Sequence, residues 1–167
     1  MLTMDSPSIT DVNKILTYEP NTGLFKWKVS RGRMSSGCVA GTVSRNGYVR
    51  IVLNGRPYRA HRLAWLVSYG EWPLLQIDHV NGIRHDNRLI NLRMCSHSEN
   101  CQNTKIRADN ISNIKGVTWH NRENKWRVSI GVSGRRIVLG MFKEIEFAEL
   151  VASEARDKYH GTFARHL

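Results

Sequence analysis

The sequence predicts an α+β protein in two parts, residues 1–108 and 114–167, joined by a linker at 109–113. Three observations carry that expectation. The first 60 residues hold strand-like runs punctuated by the turn signals Pro-Asn-Thr-Gly (20–23), Arg-Asn-Gly (45–47) and Asn-Gly-Arg (54–56). A polar, β-poor stretch, KIRADNISNIKG (105–116), then interrupts the pattern. Beyond it, three alternating strand-like runs end in one long amphipathic segment of helical period.

Taken in order, ITDVNKIL (9–16) reads as a short helix with Thr10 or Asp11 near its N-cap. LFKWKV follows as a strand, with Leu24, Trp27 and Val29 apolar and Lys26 and Lys28 between them. The loop SRGRMSSG leads to CVAGTVS and YVRIVL, two further strands of a basic β-meander. AHRLAWLVSYG spaces Leu63, Leu66 and Val67 for a helix that Gly70 and Pro73 end. In the second part, Trp126, Val128, Ile130 and Val132 alternate with Lys125, Arg127, Ser129 and Gly131, which makes a sheet with one buried and one solvent face. Ile145, Ala148, Val151, Ala152, Ala155 and Tyr159 then share one stripe of a helix closed by Gly161. Trp27, Trp65, Trp119 and Trp126 are expected in cores.

Charge narrows the partner. The chain has 25 Lys and Arg against 14 Asp and Glu, a net charge of +11, with both parts basic. Such a field attracts polyanions, and duplex DNA is the expected partner. Arg31, Arg33, Arg45, Arg50, Arg56, Arg59 and Arg62, with Lys105 and Arg107 of the polar stretch, are candidate phosphate contacts. No apolar run approaches the roughly 18 residues that read as a spanning helix, so no membrane is expected. The start MLTMDSPSITDVNKIL has no charged leader before an apolar core. The three cysteines, Cys38, Cys95 and Cys101, form no CxxC pair. These features lead us to expect a cytoplasmic protein with reduced thiols, not a secreted one.

One stretch departs from ordinary core composition. IDHVNGIRHDNRLINLRMCSHSENCQN (77–103) crowds three histidines, five asparagines and two aspartates together. Turns and helix caps account for some of the asparagines. Asp78 directly before His79, with Asn91 and Asn100 beyond, suits phosphodiester hydrolysis. A neutral imidazole takes a proton from water at pH 7. A carboxylate and a carboxamide offer the oxygen ligands that a hard divalent cation such as Mg²⁺ accepts. LQID and INLRMC read as two short strands around the loop NGIRHDNR, with Asn91 able to brace that loop. Ser96 and Glu99 form a capping box that opens a helix carrying Asn100. His85, Asn87 and His97 are assigned to the loop and the cap.

IDHVNGIRHDNRLINLRMCSHSEN resembles the HNH nuclease motif, the ββα-metal fold of the homing-endonuclease type in phages and introns. The lead-in YRAHRLAWLVSYGEWP is similar to the segment preceding that motif in the family. The resemblance implies His79 as general base, Asp78 and Asn100 as ligands of one Mg²⁺ or Mn²⁺ ion per active site, and Asn91 as the residue orienting loop and base. Residues 114–167 resemble the AP2/ERF DNA-binding domain through KGVTWH, KWRVSI, RRIVLGMF and FAELVASEARDKYHGTFA. That similarity implies a sheet lying in the major groove with a helix behind it. Lys115, Thr118, His120, Arg127, Ser129 and Arg136 would then be on the DNA face.

Together these readings give a metal-dependent, site-preferring DNA endonuclease of the HNH homing type, encoded by a phage or mobile element. It would act as a monomer or as a dimer assembled on DNA. The alternative is a DNA-binding regulator with an inactive HNH motif.

Overall fold

The computed structural model describes residues 6–30, 32, 34–102, 106 and 109–164. Arg31, Arg33, Lys105 and Arg107, and the expected domain edge at residue 108, lie outside them. The chain divides into two compact units, Met1–Cys95 and Ser96–Leu167, each with its own core. None of the described helices is long and apolar enough to cross a membrane.

The first unit opens on α1 (Ile9–Ile15), whose N-cap is Ser8 rather than Thr10 or Asp11. Asp11 is instead the third helical residue, and its carboxylate reaches back to the Ser8 N–H to complete a capping box. β1 (Leu16–Glu19) and β2 (Leu24–Trp27) form an antiparallel hairpin. The face of β2 differs from expectation. Phe25 and Trp27, two residues apart, are buried, while Leu24 and Val29 are largely exposed. The two-residue period of a strand forbids Leu24 and Trp27 from sharing a side.

CVAGTVS contributes β3 (Thr42–Val43) and a single bridge from Val39 to Lys26 of β2. β3 joins β4 (Val49–Leu53) and β5 (Arg56–Arg59) in a three-stranded antiparallel sheet. Both expected turns are present. Gly47 takes a positive φ in the first, and Asn54 and Gly55 (φ 49° and 78°) make the tight β4–β5 turn. α2 (Ala60–Tyr69) ends at Gly70 in the left-handed region. Its Ala60, Leu63, Ala64 and Leu66 join Val12, Leu16, Phe25, Trp27, Ile51 and Ile77 in the unit's core. Finally β6 (Gln76–His79) and β7 (Leu92–Cys95) pair antiparallel, with the loop 80–91 between them. Asn91 ends a 3-10 turn, Leu89–Asn91, before β7 and is not within the strand.

The second unit begins with α3 (His97–Gln102), preceded by the expected capping box. Ser96 N–H donates to Glu99 Oε2 at 2.7 Å, and Glu99 N–H donates to Ser96 Oγ at 3.3 Å. Within the stretch read as linker, Ser112 is buried, with its hydroxyl 2.8 Å from the Val117 carbonyl oxygen. β8 (Val117–His120), β9 (Lys125–Val132) and β10 (Arg135–Phe142) form an antiparallel sheet in the order β10-β9-β8. α4 (Ile145–His160) packs on it and buries Ala148, Ala152 and Ala155. Its stripe is as expected apart from Tyr159, which is exposed. Trp119 is also a correction. It is 40% exposed and lies edge-on to Trp126 at 4.9 Å, because β8 is the sheet's edge strand.

Candidate active site

Two elementary facts organise the site in the first unit. Directly opposed residues of an antiparallel pair share a face, and a buried polar group needs a partner. Asp78 opposes Arg93 across the β6–β7 ribbon. Arg93 donates from Nε at 2.9 Å and from Nη2 at 2.7 Å to Asp78 Oδ2, and the Asp78 carboxylate is buried.

His79, next along β6, meets different surroundings. Its ring lies 5.1 Å from that of His61 on α2, nearly perpendicular, and 5.8 Å from that of Tyr48 ahead of β4. His79 Nε2 is 3.3 Å from Asn87 Oδ1. Asn87 Nδ2 donates to the His85 carbonyl at 3.2 Å, so the atom turned toward His79 is the acceptor oxygen. This contact suits the His79 tautomer with its proton on Nε2 and its lone pair on Nδ1. Burial holds the His79 pKa below the ordinary histidine value, partly offset by the Asn87 hydrogen bond and the Asp78 charge. At neutral pH the imidazole is uncharged and able to accept a proton.

Asn91 organises the loop between the strands. Its Oδ1 accepts from Asn81 N–H at 2.9 Å, its Nδ2 donates to the Asp86 carbonyl at 2.8 Å, and its carbonyl accepts from Val80 N–H at 2.9 Å. Asn81 Oδ1 accepts from Ile83 N–H at 2.8 Å, an Asx turn closed with Gly82 at φ 69°. Asp86 is held at a pKa of about 2, chiefly by the hydrogen bonds from Arg88. The β1–β2 hairpin supports the same loop from outside. Tyr18 Oη donates to the Asn87 carbonyl at 2.7 Å, and Leu89 N–H donates to the Pro20 carbonyl at 3.1 Å.

Asp78, His79 and Asn91 are thus gathered on one hairpin. Asn100 is on α3 in the second unit, half-buried, with its N–H donating to the Ser96 carbonyl at 3.0 Å. His85 and His97 are exposed. Asn87, which composition assigned to the loop, also sets the tautomer of His79. His61 is a second residue that the sequence left unassigned. Burial first, then the neighbouring His79, Arg59 and Arg62, lower its pKa to about 3. No local sequence signal marks it, because it reaches His79 from a helix that ends before β6 begins.

Among the described residues, no group of three or more His, Cys, Asp or Glu is arranged to hold a metal ion. Carboxylate and carboxamide oxygens such as those of Asp78 and Asn100 are donors of the kind a hard divalent cation accepts.

In the second unit, the strand register sorts the candidate DNA contacts. Thr118 opposes Arg127, His120 opposes Lys125, and Gly131 opposes Arg136. Val117 opposes Val128 on the buried face. Alternation therefore puts Thr118, His120, Arg127, Ser129 and Arg136 on the face away from Val128 and Ile130. Lys115 precedes β8, and its carbonyl accepts from Arg156 Nη1.

The profile of the HNH endonuclease family matches residues 58–102, from the end of β5 through α2 and the β6–β7 hairpin to the end of α3. Protein 3.8 of Escherichia phage T7 is 32% identical over 110 residues, covering 64% of this chain and 88% of that protein. A solved structure of DNA binding and cleavage by the HNH homing endonuclease I-HmuI matches with a TM-score of 0.43 and 22% identity. That match covers 58% of this chain and 55% of the other, so the chain spans little more than half of that protein. The chain belongs to the family of phage T7 Protein 3.8, and its residues 58–102 match the HNH endonuclease family.

Proposed function

We propose that the protein is a divalent-metal-dependent DNA endonuclease of the HNH homing type, with residues 1–108 as its nuclease part and residues 114–167 as an AP2-like DNA-binding part. The observation that carries the proposal is the His79 Nε2 contact with Asn87 Oδ1, beside the buried Asp78 on the hairpin that Asn91 braces.

His79 Nδ1 takes a proton from water, and the water oxygen attacks phosphorus in line with the P–O3′ bond. That bond breaks, the 3′-oxygen gains a proton, and a 5′-phosphate remains. Asn87 keeps the imidazole in the required tautomer throughout. Asn91 fixes the loop on which Asn87 sits. Asp78 and Asn100 would hold one Mg²⁺ or Mn²⁺ ion, which when bound supplies positive charge to the phosphate oxygens. A single site of this kind cuts one strand. Double-strand cleavage then needs a dimer on the DNA or two successive events.

The sheet of the second unit supports the binding half of the proposal. One face of β8–β10 carries Thr118, His120, Arg127, Ser129 and Arg136, and the opposite face is covered by α4. A basic sheet face with a helix behind it suits the major groove of duplex DNA.

One observation favours a second reading, a DNA-binding regulator with an inactive motif. Arg93 already holds Asp78 Oδ2. Incubation of supercoiled plasmid with Mg²⁺, with Mn²⁺ and with EDTA separates the readings. Metal-dependent conversion to open circle or linear DNA supports the nuclease. Tight duplex binding without cleavage in either metal supports the regulator.

A further inference from the structure

Beside the two histidines is a group of charges that the hydrolytic reading does not use. The guanidinium carbon of Arg59 lies 4.5 Å from the centre of the Tyr48 ring, and that of Arg84 lies 5.2 Å from the same centre. Among the described residues neither guanidinium stands in an ion pair. The nearby carboxylates are engaged elsewhere, Asp78 with Arg93 and Asp86 with Arg88. Arg59 Nη1 is buried without a hydrogen-bond partner, and so is His61 Nδ1. Arg84 donates from Nη1 to the Asn46 carbonyl at 3.1 Å, which ties the β3–β4 turn to the loop after β6.

Two cations on one aromatic ring form a local excess of positive charge. Cation–π contact holds each guanidinium in place without neutralising it. Planar guanidinium groups present several donors in a fork that matches phosphate oxygens. The Tyr48 ring is 5.3 Å from His61 and 5.8 Å from His79, so an anion held at its rim adjoins the imidazole assigned as base.

We propose that Arg59 and Arg84, gathered on Tyr48 beside His79, form a seat for a phosphodiester of the DNA substrate. The inference rests on the nuclease reading for its substrate. It separates these two arginines from the rest of the basic surface, whose contacts serve affinity rather than placement of the scissile bond.

The test uses the full chain in EDTA, with thymidine 3′,5′-bisphosphate as probe and histidine ring Cε1–H signals as readout. The seat predicts saturable shifts of the His61 and His79 signals, with the signal of His160 on α4 unmoved. Arg59→Gln and Arg84→Gln should each weaken the titration about tenfold, the factor expected for one charge-assisted hydrogen bond. Arg84→Lys, which keeps the charge but not the fork, should fall between. Arg84 is exposed, so its replacements leave the core intact. Unmoved His61 and His79 signals in the wild type, or equal titration in both Gln variants and wild type, would overturn the seat. Plasmid nicking, followed in parallel, reports on the nuclease reading alone. A wild type that binds the probe but never nicks sinks that reading and keeps the seat. Full-rate nicking by the double Gln variant does the reverse.

Discussion

Asn87 accepts from His79 Nε2 at 3.3 Å and donates to the His85 carbonyl at 3.2 Å, so one carboxamide reads the loop backbone and dictates the imidazole tautomer. The consequence is a defined pH profile. Below its pKa His79 is a cation and no base, and burial holds that pKa under the ordinary value of about 6.5. The single-turnover nicking rate should therefore rise through an acid limb below pH 6.5 and level off above it. Asn87→Asp puts a carboxylate against Nε2, favours the imidazolium, and should move the limb to higher pH. Asn87→Leu removes the tautomer control and should slow nicking about 10²-fold, the lower end for general-base effects. An unmoved limb in Asn87→Asp contradicts the assignment.

Asn91 holds the loop through both ends of its carboxamide. Asn91→Ala strands the Asn81 N–H and the Asp86 carbonyl, both of which the carboxamide satisfies. Each such loss costs about 1–3 kcal/mol when the group stays dry. Urea unfolding should show a lower midpoint at unchanged slope, with nicking reduced in the same variant. A stable Asn91→Ala protein with full activity would contradict this role.

Gly23 lets the β1–β2 turn approach the loop. Its φ is 73°, and a Cβ there would collide with the backbone of Asn87 and Arg88. Gly55 has a similar φ of 78° with nothing within 4 Å. Both alanine variants share the left-handed penalty, about 1–2 kcal/mol. Gly23→Ala should lose nicking and stability well beyond Gly55→Ala, as measured by paired urea titrations and nicking assays. Equal effects would mean the close approach is unimportant.

His61 makes the fold sensitive to acid. Its folded pKa is about 3 and the unfolded value about 6.5, so between these the unfolded chain binds more protons. Stability is complete above about pH 6.5 and falls as the pH drops toward 3, by up to about 1.4 kcal/mol per unit. His79 adds to the loss in the same direction. His61→Phe keeps an aromatic ring without a titrating group and should flatten the pH dependence of the urea midpoint between pH 7 and 5. An unchanged slope would assign the sensitivity elsewhere.

Much of the hairpin was legible because its signals are local. Asn46-Gly47, Asn54-Gly55 and Asn81-Gly82 announce turns through backbone angles that few residues tolerate, and Ser96 with Glu99 announces a helix start. Asn91 was legible as a loop brace for the same reason. Side-chain partners set by tertiary packing were not. His61 meets His79 only because α2 folds back on the β6–β7 ribbon, and Arg59 meets Arg84 only through Tyr48. Leu24 misled because its apolar character outweighed the two-residue period that buries Phe25 instead. The Arg93 pairing with Asp78 follows from antiparallel register, which composition alone does not fix.

The most direct test of the central claim is single-turnover nicking of supercoiled DNA by wild type and His79→Ala, with duplex binding measured on the same preparations. The account predicts that the variant binds DNA like wild type and nicks at least about 10²-fold more slowly in Mg²⁺ or Mn²⁺. Nicking by His79→Ala at the wild-type rate, with binding intact, would contradict it.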